Sequence, residues 1–169
     1  MRINELLTEV GDNPYPSKLV QKIGKEYKSF ASKDGRIQLT MVVKNRGRIL
    51  DINFVVDGSA DITGGGDQFR IFSTALDIID KNLPEMILKT KPTSVSFSAK
   101  TGDSSRVKLY NKYGVQHFNK LLGPDWKFIG PKDAFGPHGA LYTKYQWDNV
   151  NAPAQTSSNN IVSKFIPAK

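Results

Sequence analysis

The sequence predicts one α/β domain in which a mixed, mainly antiparallel sheet is flanked by helices. Three observations lead to this fold class. Apolar residues first recur at every second position in three successive segments, then at steps of three and four, and then in a further alternation of strands and a helix. The predicted element order is β-β-β-α-β-α-β-β. The chain of 169 residues suits one domain, which we place at residues 1–150, followed by a polar, flexible tail at 151–169.

The first three strands are predicted from alternation and from the turns between them. Every second residue from Ile37 to Val43 is apolar, and the same holds from Leu50 to Val56. Because short turns join antiparallel strands, these segments form a meander. The turns lie at 33–35 and 45–47, and the strands at 27–32, 36–44 and 48–57.

Helical spacing marks four further segments. Two short helices are predicted at 2–10 and 17–24, before the first strand. An amphipathic helix of about four turns begins at Asp67 and ends or kinks at Pro84, and another helix spans 104–121. Because strands precede and follow these helices, at least one strand pair must be parallel. The remaining strands are predicted at 93–99, 125–130 and 140–147.

Composition narrows the classes of function. The absence of cysteine excludes disulfides, thiolate zinc sites and a cysteine nucleophile. His117 and His138 have no companions at metal-ligand spacing, so we predict no metal site. No apolar run is long enough for a membrane span and the N-terminus lacks a secretory pattern, so we expect a cytoplasmic protein with no membrane partner. The net charge of +8 either attracts polyanions such as coenzyme A and nucleic acid or keeps the surface of this basic protein solvated.

A glycine-rich loop between the third strand and the long helix is the strongest single motif. It runs from Gly58 to Gly66 and enters the helix at once. Glycines let a ligand approach the backbone, and the free N–H groups of a helix N-terminus favour a phosphate or pyrophosphate. The alternative is a flexible loop without a ligand.

The order of strand, loop and helix resembles the GNAT (N-acetyltransferase) superfamily. In that family a [Arg/Gln]-x-x-Gly-x-[Gly/Ala] loop holds the coenzyme A pyrophosphate, and here the matching residues are Asp-Ile-Thr-Gly-Gly-Gly at 61–66. The chain is also similar to uncharacterised acetyltransferase-like proteins of bacteriophages. The resemblance implies an acetyl-coenzyme A site that contains Val56, Gly64, Gly65, Gly66 and Asp67.

A second family signature follows the next strand. The family pattern Asn-x-x-Ala-x-x-Leu-Tyr-x-x-x-Gly-Phe aligns with residues 103–115, with Asp103 for Asn and Val115 for Phe, and the resemblance implies that Tyr110 protonates the leaving thiolate. The alternative is that Tyr110 is a core tyrosine without a catalytic role. Asp103 and Arg106, at the start of this segment, are assigned to the cofactor site. Asp51, on the strand face opposite Leu50, is the candidate general base, and the alternative is a surface aspartate at the strand edge.

Two functions remain open at this point. The first is an acyltransferase that moves an acetyl group from acetyl-coenzyme A to an amine of a small molecule or a protein. The second is a catalytically inactive GNAT-like domain, of viral origin in one version and acting in the host cytoplasm, that binds a host protein or nucleic acid. Asp61 and Asp103 favour the second, because they replace the family's Arg or Gln and its Asn with anions that repel an anionic cofactor.

Overall fold

The computed structural model describes residues 14–56, 68–100, 108, 110–136 and 139–152. The predicted helix at 2–10, the glycine loop at 58–66 and the tail beyond residue 152 lie outside the described residues. Within them, no helix is long and apolar enough to cross a membrane.

The described residues form one seven-stranded sheet in the order β1-β2-β3-β4-β5-β7-β6. All neighbouring strands are antiparallel except β4 and β5, which are parallel. The predicted fold class is therefore confirmed, including the parallel pair. The strands are β1 (Ser17–Ile23), β2 (Tyr27–Ser32), β3 (Ile37–Lys44), β4 (Ile49–Val56), β5 (Ser94–Lys100), β6 (Trp126–Phe135) and β7 (Leu141–Asn149). The helices are α1 (Gln68–Thr90) and α2 (Val115–Leu122), and a π-helical turn, Tyr110–Gly114, leads into α2.

The prediction of a short helix at 17–24 is wrong, because these residues form the edge strand β1. The strand pairs antiparallel with β2 from Ser17 opposite Ser32 to Ile23 opposite Tyr27. Gly24 allows the tight reversal between the two strands, since its φ is +54°. All seven residues of β1 are exposed, so the spacing of its apolar residues does not reflect a buried face. Backbone pairing with β2 therefore determines its conformation.

Helix α1 is longer than its spacing predicts, because it passes through Pro84 and ends at Thr90. A proline inside a helix removes one backbone hydrogen bond and destabilises it. Burial on both sides of the proline offsets that loss, since Leu83 and Met86 are both fully buried in the core.

Both helices cover the same face of the sheet, which we call the apolar face. Phe97 on β5 lies at the centre of its aromatic cluster. The Phe97 ring centroid is 4.8 Å from that of Tyr145, 5.1 Å from Tyr110 and 5.0 Å from Phe118. Trp147 completes the cluster, and its indole N–H donates to Asn119 Oδ1 at 2.7 Å.

The opposite face of the sheet is polar, because the alternate residues of the central strands are serine, glutamine and aspartate. Ser96 Oγ donates to Asp51 Oδ1 at 3.0 Å, and Ser94 Oγ donates to Asp148 Oδ1 at 2.7 Å. We call this surface the polar face. Its side chains bond across β4, β5 and β7, so they tie the centre of the sheet together.

Replacing Phe97 with alanine tests the role of the aromatic cluster. We expect Phe97→Ala to lower the free energy of unfolding by about 3–5 kcal/mol, because a buried aromatic ring leaves a large cavity. Leu88→Ala is the control, since Leu88 is 76% exposed and its loss should change stability by less than about 0.5 kcal/mol. Urea unfolding of both variants provides the comparison, and equal losses would contradict the central role of Phe97.

Candidate functional site

The two parallel strands separate part of the way along their length. β4 and β5 pair from Ile49 opposite Ser94 only as far as Ile52 opposite Phe97. Beyond that point β4 stays paired with β3 and β5 stays paired with β7. The inner edges of β4 and β5 therefore diverge, and we call the opening between them the β4–β5 split.

A small apolar cavity lies beside the split on the apolar face. Its volume is about 30 Å³. The lining is almost wholly apolar, so it offers few hydrogen-bond partners to a group that enters. The residues nearest the split are Ile52, Phe54, Phe97, Ser98 and Tyr110.

Tyr110, the predicted acid, lines this cavity. It is 7% exposed and begins the π-helical turn before α2. Its ring meets the Phe97 ring edge-on, with 82° between the planes. A π-helical turn widens a helix by one residue and is frequent at functional sites. The described part of the helix predicted at 104–121, from Tyr110 to Leu122, brings Tyr110 to the split, and the proton-donor role stays a prediction.

Tyr145 on β7 is a neighbour of Tyr110 that the sequence analysis did not name. Its hydroxyl donates to Asn111 Oδ1 at 2.8 Å, and its ring centroid is 6.0 Å from that of Tyr110. Burial raises the pKa of Tyr145 to about 12, so the phenol stays protonated at neutral pH. The alternation that buries Trp147 two residues later is a signal that could have placed Tyr145 on the apolar face.

Asp51, the predicted base, lies on the polar face. Its neighbours Leu50 and Ile52 point into the core beside Tyr110, so strand alternation turns Asp51 to the other side of the sheet. Its carboxylate accepts hydrogen bonds from Lys44 Nζ at 2.7 Å and Ser96 Oγ at 3.0 Å. The structure therefore places the candidate acid and base on opposite faces, next to the same split.

Val56 marks the end of β4 where the chain leaves for the glycine loop. Its side chain is buried against Ile37 and Ile71, so only its backbone is available to a ligand at this edge. The six other predicted cofactor ligands lie outside the described part of the chain, so their roles stay predictions. They are Gly64, Gly65, Gly66, Asp67, Asp103 and Arg106.

His117 forms a contact that the sequence did not reveal. Its Nε2 lies 2.6 Å from Asp80 Oδ1, so the imidazole links α2 to α1. In the described residues no group of three or more His, Cys, Asp or Glu side chains could hold a metal ion.

No family model matches this sequence, and no curated protein matches it. The fold is similar to those of several solved acetyltransferases. A chimeric spermidine N-acetyltransferase of Vibrio cholerae has a TM-score of 0.41 and 8% identity, with 75% of this chain and 70% of that chain covered. A GNAT-family acetyltransferase from Streptococcus pneumoniae has a TM-score of 0.41 and 11% identity, with 73% and 66% covered. One from Bacillus anthracis has a TM-score of 0.40 and 8% identity, with 75% and 66% covered. At these values the likeness carries no residue role over to this chain.

The raised pKa of Tyr145 predicts a loss of stability at high pH. As the pH rises above 10, the unfolded chain releases the phenol proton first, while the folded protein holds it until about pH 12. The buried phenol therefore contributes its full stabilising free energy below pH 10, and this contribution falls as the pH rises from 10 to about 12. Tyr145→Phe has no proton to release, so its stability should fall less steeply.

Urea unfolding across the window from pH 10 to about 12 checks this expectation. Tyr145→Phe also loses the hydrogen bond to Asn111, so its stability at neutral pH should be lower by about 1 kcal/mol. Curves for wild type and variant that stay parallel throughout would show that Tyr145 titrates as an exposed phenol.

Proposed function

We propose that this chain is an N-acetyltransferase that binds acetyl-coenzyme A in the β4–β5 split and passes the acetyl group to an amine. The observation that carries this proposal is the early end of the parallel pairing, at Ile52 opposite Phe97. It leaves one edge of β4 without a strand partner in the described part of the sheet, in the middle of the fold. Buried backbone groups need hydrogen-bond partners, so an opening of this kind suits an extended ligand.

The residues present fit such a ligand. Beyond Ile52, the inner edge of β4 offers backbone N–H and C=O groups to the amide groups of a pantetheine arm, as an added strand would. The apolar lining of the cavity beside Phe54 and Tyr110 suits the acetyl methyl group of a thioester. In the sequence, Gly64, Gly65 and Gly66 follow β4 and precede α1, so we propose that their amides bind the pyrophosphate.

The positions of Tyr110 and Asp51 suit a transfer through the split. Coenzyme A would supply the acetyl group as an activated thioester. Asp51 would accept a proton from the amine, directly or through water, on the polar face as the amine nitrogen bonds to the acetyl carbon. Tyr110 would donate its hydroxyl proton to the sulfur on the apolar face as the carbon–sulfur bond breaks. The proposed base on the polar face thus acts on the amine, and the proposed acid on the apolar face acts on the sulfur.

Acetyl-coenzyme A binding and Tyr110 variants together test the proposal. Acetyl-coenzyme A at 100 times its Kd should stabilise the protein by about 2.7 kcal/mol. Tyr110→Phe should keep that stabilisation and lower turnover by about 10²- to 10⁴-fold, because it removes the proton and keeps the ring. Tyr110→Ala should cost about 3–5 kcal/mol of stability, because Tyr110 packs against Phe97 and Phe72.

The measurements are differential scanning fluorimetry, thiol release from acetyl-coenzyme A and urea unfolding. Absence of any thermal shift at millimolar acetyl-coenzyme A would contradict the acyltransferase proposal and favour the inactive binding domain. The same conclusion would follow if the wild type had no activity and Tyr110→Phe kept full stability. Full activity in Tyr110→Phe would remove Tyr110 as the acid and leave the cofactor site standing.

A second prediction concerns Asp51. We expect Asp51→Asn to lower kcat by about 10²- to 10⁴-fold with the affinity for acetyl-coenzyme A unchanged, because the amide cannot accept the proton. Asp77→Asn is the matched control, since Asp77 pairs with Lys81 on the surface of α1 at 2.8 Å. Equal kcat in the two variants would show that Asp51 serves only its bonds to Lys44 and Ser96.

A further inference from the structure

A second pocket opens on the polar face, where β4 and β5 begin. Its volume is about 480 Å³, within the range of small-molecule sites. It lies about 10 Å along the sheet from the β4–β5 split, because three residues of rise separate Ile49 from Ile52. The residues that matter here are Arg46, Arg48, Ile49, Ser94, Gln146 and Asp148.

The rim of this pocket is held in place by backbone bonds. The carbonyl of Arg48 accepts hydrogen bonds from the N–H groups of Thr93 at 2.8 Å and Ser94 at 3.0 Å. The N–H of Arg48 donates to the carbonyl of Asn45 at 3.3 Å and closes the β3–β4 turn. The turn is therefore tied to the start of β5, and the pocket does not depend on a loose loop.

The backbone of Arg46 is left-handed, which is unusual for arginine. Its φ is +58° and that of Gly47 is +87°, as at the two central positions of a type I′ turn. Glycine, asparagine and aspartate favour these positions, whereas longer side chains are disfavoured there. The turn itself therefore gives no reason for an arginine, and strained residues of this kind cluster at ligand sites.

The charges of the pocket are arranged for a ligand. Among the described residues, neither the Arg46 nor the Arg48 guanidinium group has an ion-pair or hydrogen-bond partner. Asp148 is fixed differently, because its Oδ1 accepts from Ser94 Oγ at 2.7 Å and Gln146 Nε2 at 2.9 Å. Both bonds use one oxygen, so Oδ2 is left to accept from a ligand. A guanidinium fork matches the oxygens of a phosphate or a carboxylate.

We infer that this pocket binds a small organic anion. Its phosphate or carboxylate group lies between Arg46 and Arg48, and its hydroxyl or amino group donates to Asp148. A bare anion would meet the Asp148 charge without supplying a donor, so the ligand must carry both kinds of group. The inference is independent of acetyl transfer, since it uses a different pocket and different residues.

Calorimetry with three probes tests the site. Ribose 5-phosphate carries a phosphate with hydroxyl groups, glutamate carries carboxylates with an amine, and inorganic phosphate carries the anion alone. One of the first two should bind at least about tenfold more tightly than inorganic phosphate, and which one binds identifies the anionic group. Failure of both to bind at millimolar concentration would overturn the inference.

Matched variants separate a built site from general attraction to a basic protein. Arg48→Gln should weaken binding of the preferred probe by about tenfold or more. Arg36→Gln removes the same charge from the β2–β3 turn and should leave binding unchanged. Equal losses in the two variants would refute the site.

Arg46→Gly gives a second and opposite readout. Glycine suits the left-handed turn, so this variant should raise the Tm by about 2–4 °C while it weakens the binding of the preferred probe. A more stable protein with unchanged affinity would also refute the site, because it would show that the guanidinium group does not touch the ligand.

Discussion

The rest of the structure depends on the short parallel pairing of β4 with β5. Strands β1 to β4 form one antiparallel half of the sheet and β5 to β7 form the other, and the four residue pairs from Ile49 to Ile52 are the strand contact that joins the two halves. Helix α1 connects the same two strands and covers the junction. Phe97 is the last residue of β5 that pairs with β4, and its ring packs against Tyr110 and Tyr145 where this pairing stops. The aromatic cluster therefore stabilises the sheet at the place where backbone bonding between its halves ends.

The two-residue period of a strand separates the chemistry of this sheet into two environments. On β4, Leu50 and Ile52 belong to the dry apolar face, while Asp51 between them belongs to the polar face. The Tyr110 phenol beside the apolar cavity and the Asp51 carboxylate on the opposite face are therefore neighbours of one opening without contact between them. The same alternation on β7 buries Tyr145 and Trp147 and turns Gln146 toward the polar pocket. One sheet thus lines two pockets of contrasting polarity.

Much of this fold follows from local sequence pattern, and the exceptions have physical reasons. The alternation from Ile37 to Val43 and from Leu50 to Val56 predicts the meander and its buried residues, because burial of one face imposes that period. Strand β1 has no buried face and so no such pattern. The site residues meet through long-range pairing, as with Ser94 and Asp148, which are 54 residues apart. The sequence identifies the turn at Arg46, but only the strand order brings that turn beside Asp148.

The direction in which β4 and β5 diverge is fixed by the opposite end of their pairing. There, the Arg48 carbonyl holds the N–H groups of both Thr93 and Ser94, and the N–H of Asn149 donates to the Thr93 carbonyl at 2.9 Å. Ser96 bonds to Asp51 one pair before the split. The strands are thus pinned at their starts and bridged by a side chain midway, so they can separate only at their C-terminal ends. An extended ligand between the two strands, as proposed, would meet the side of the sheet from which α1 begins, and it would contact Phe97 and Tyr110 where the β4–β5 backbone pairing ends.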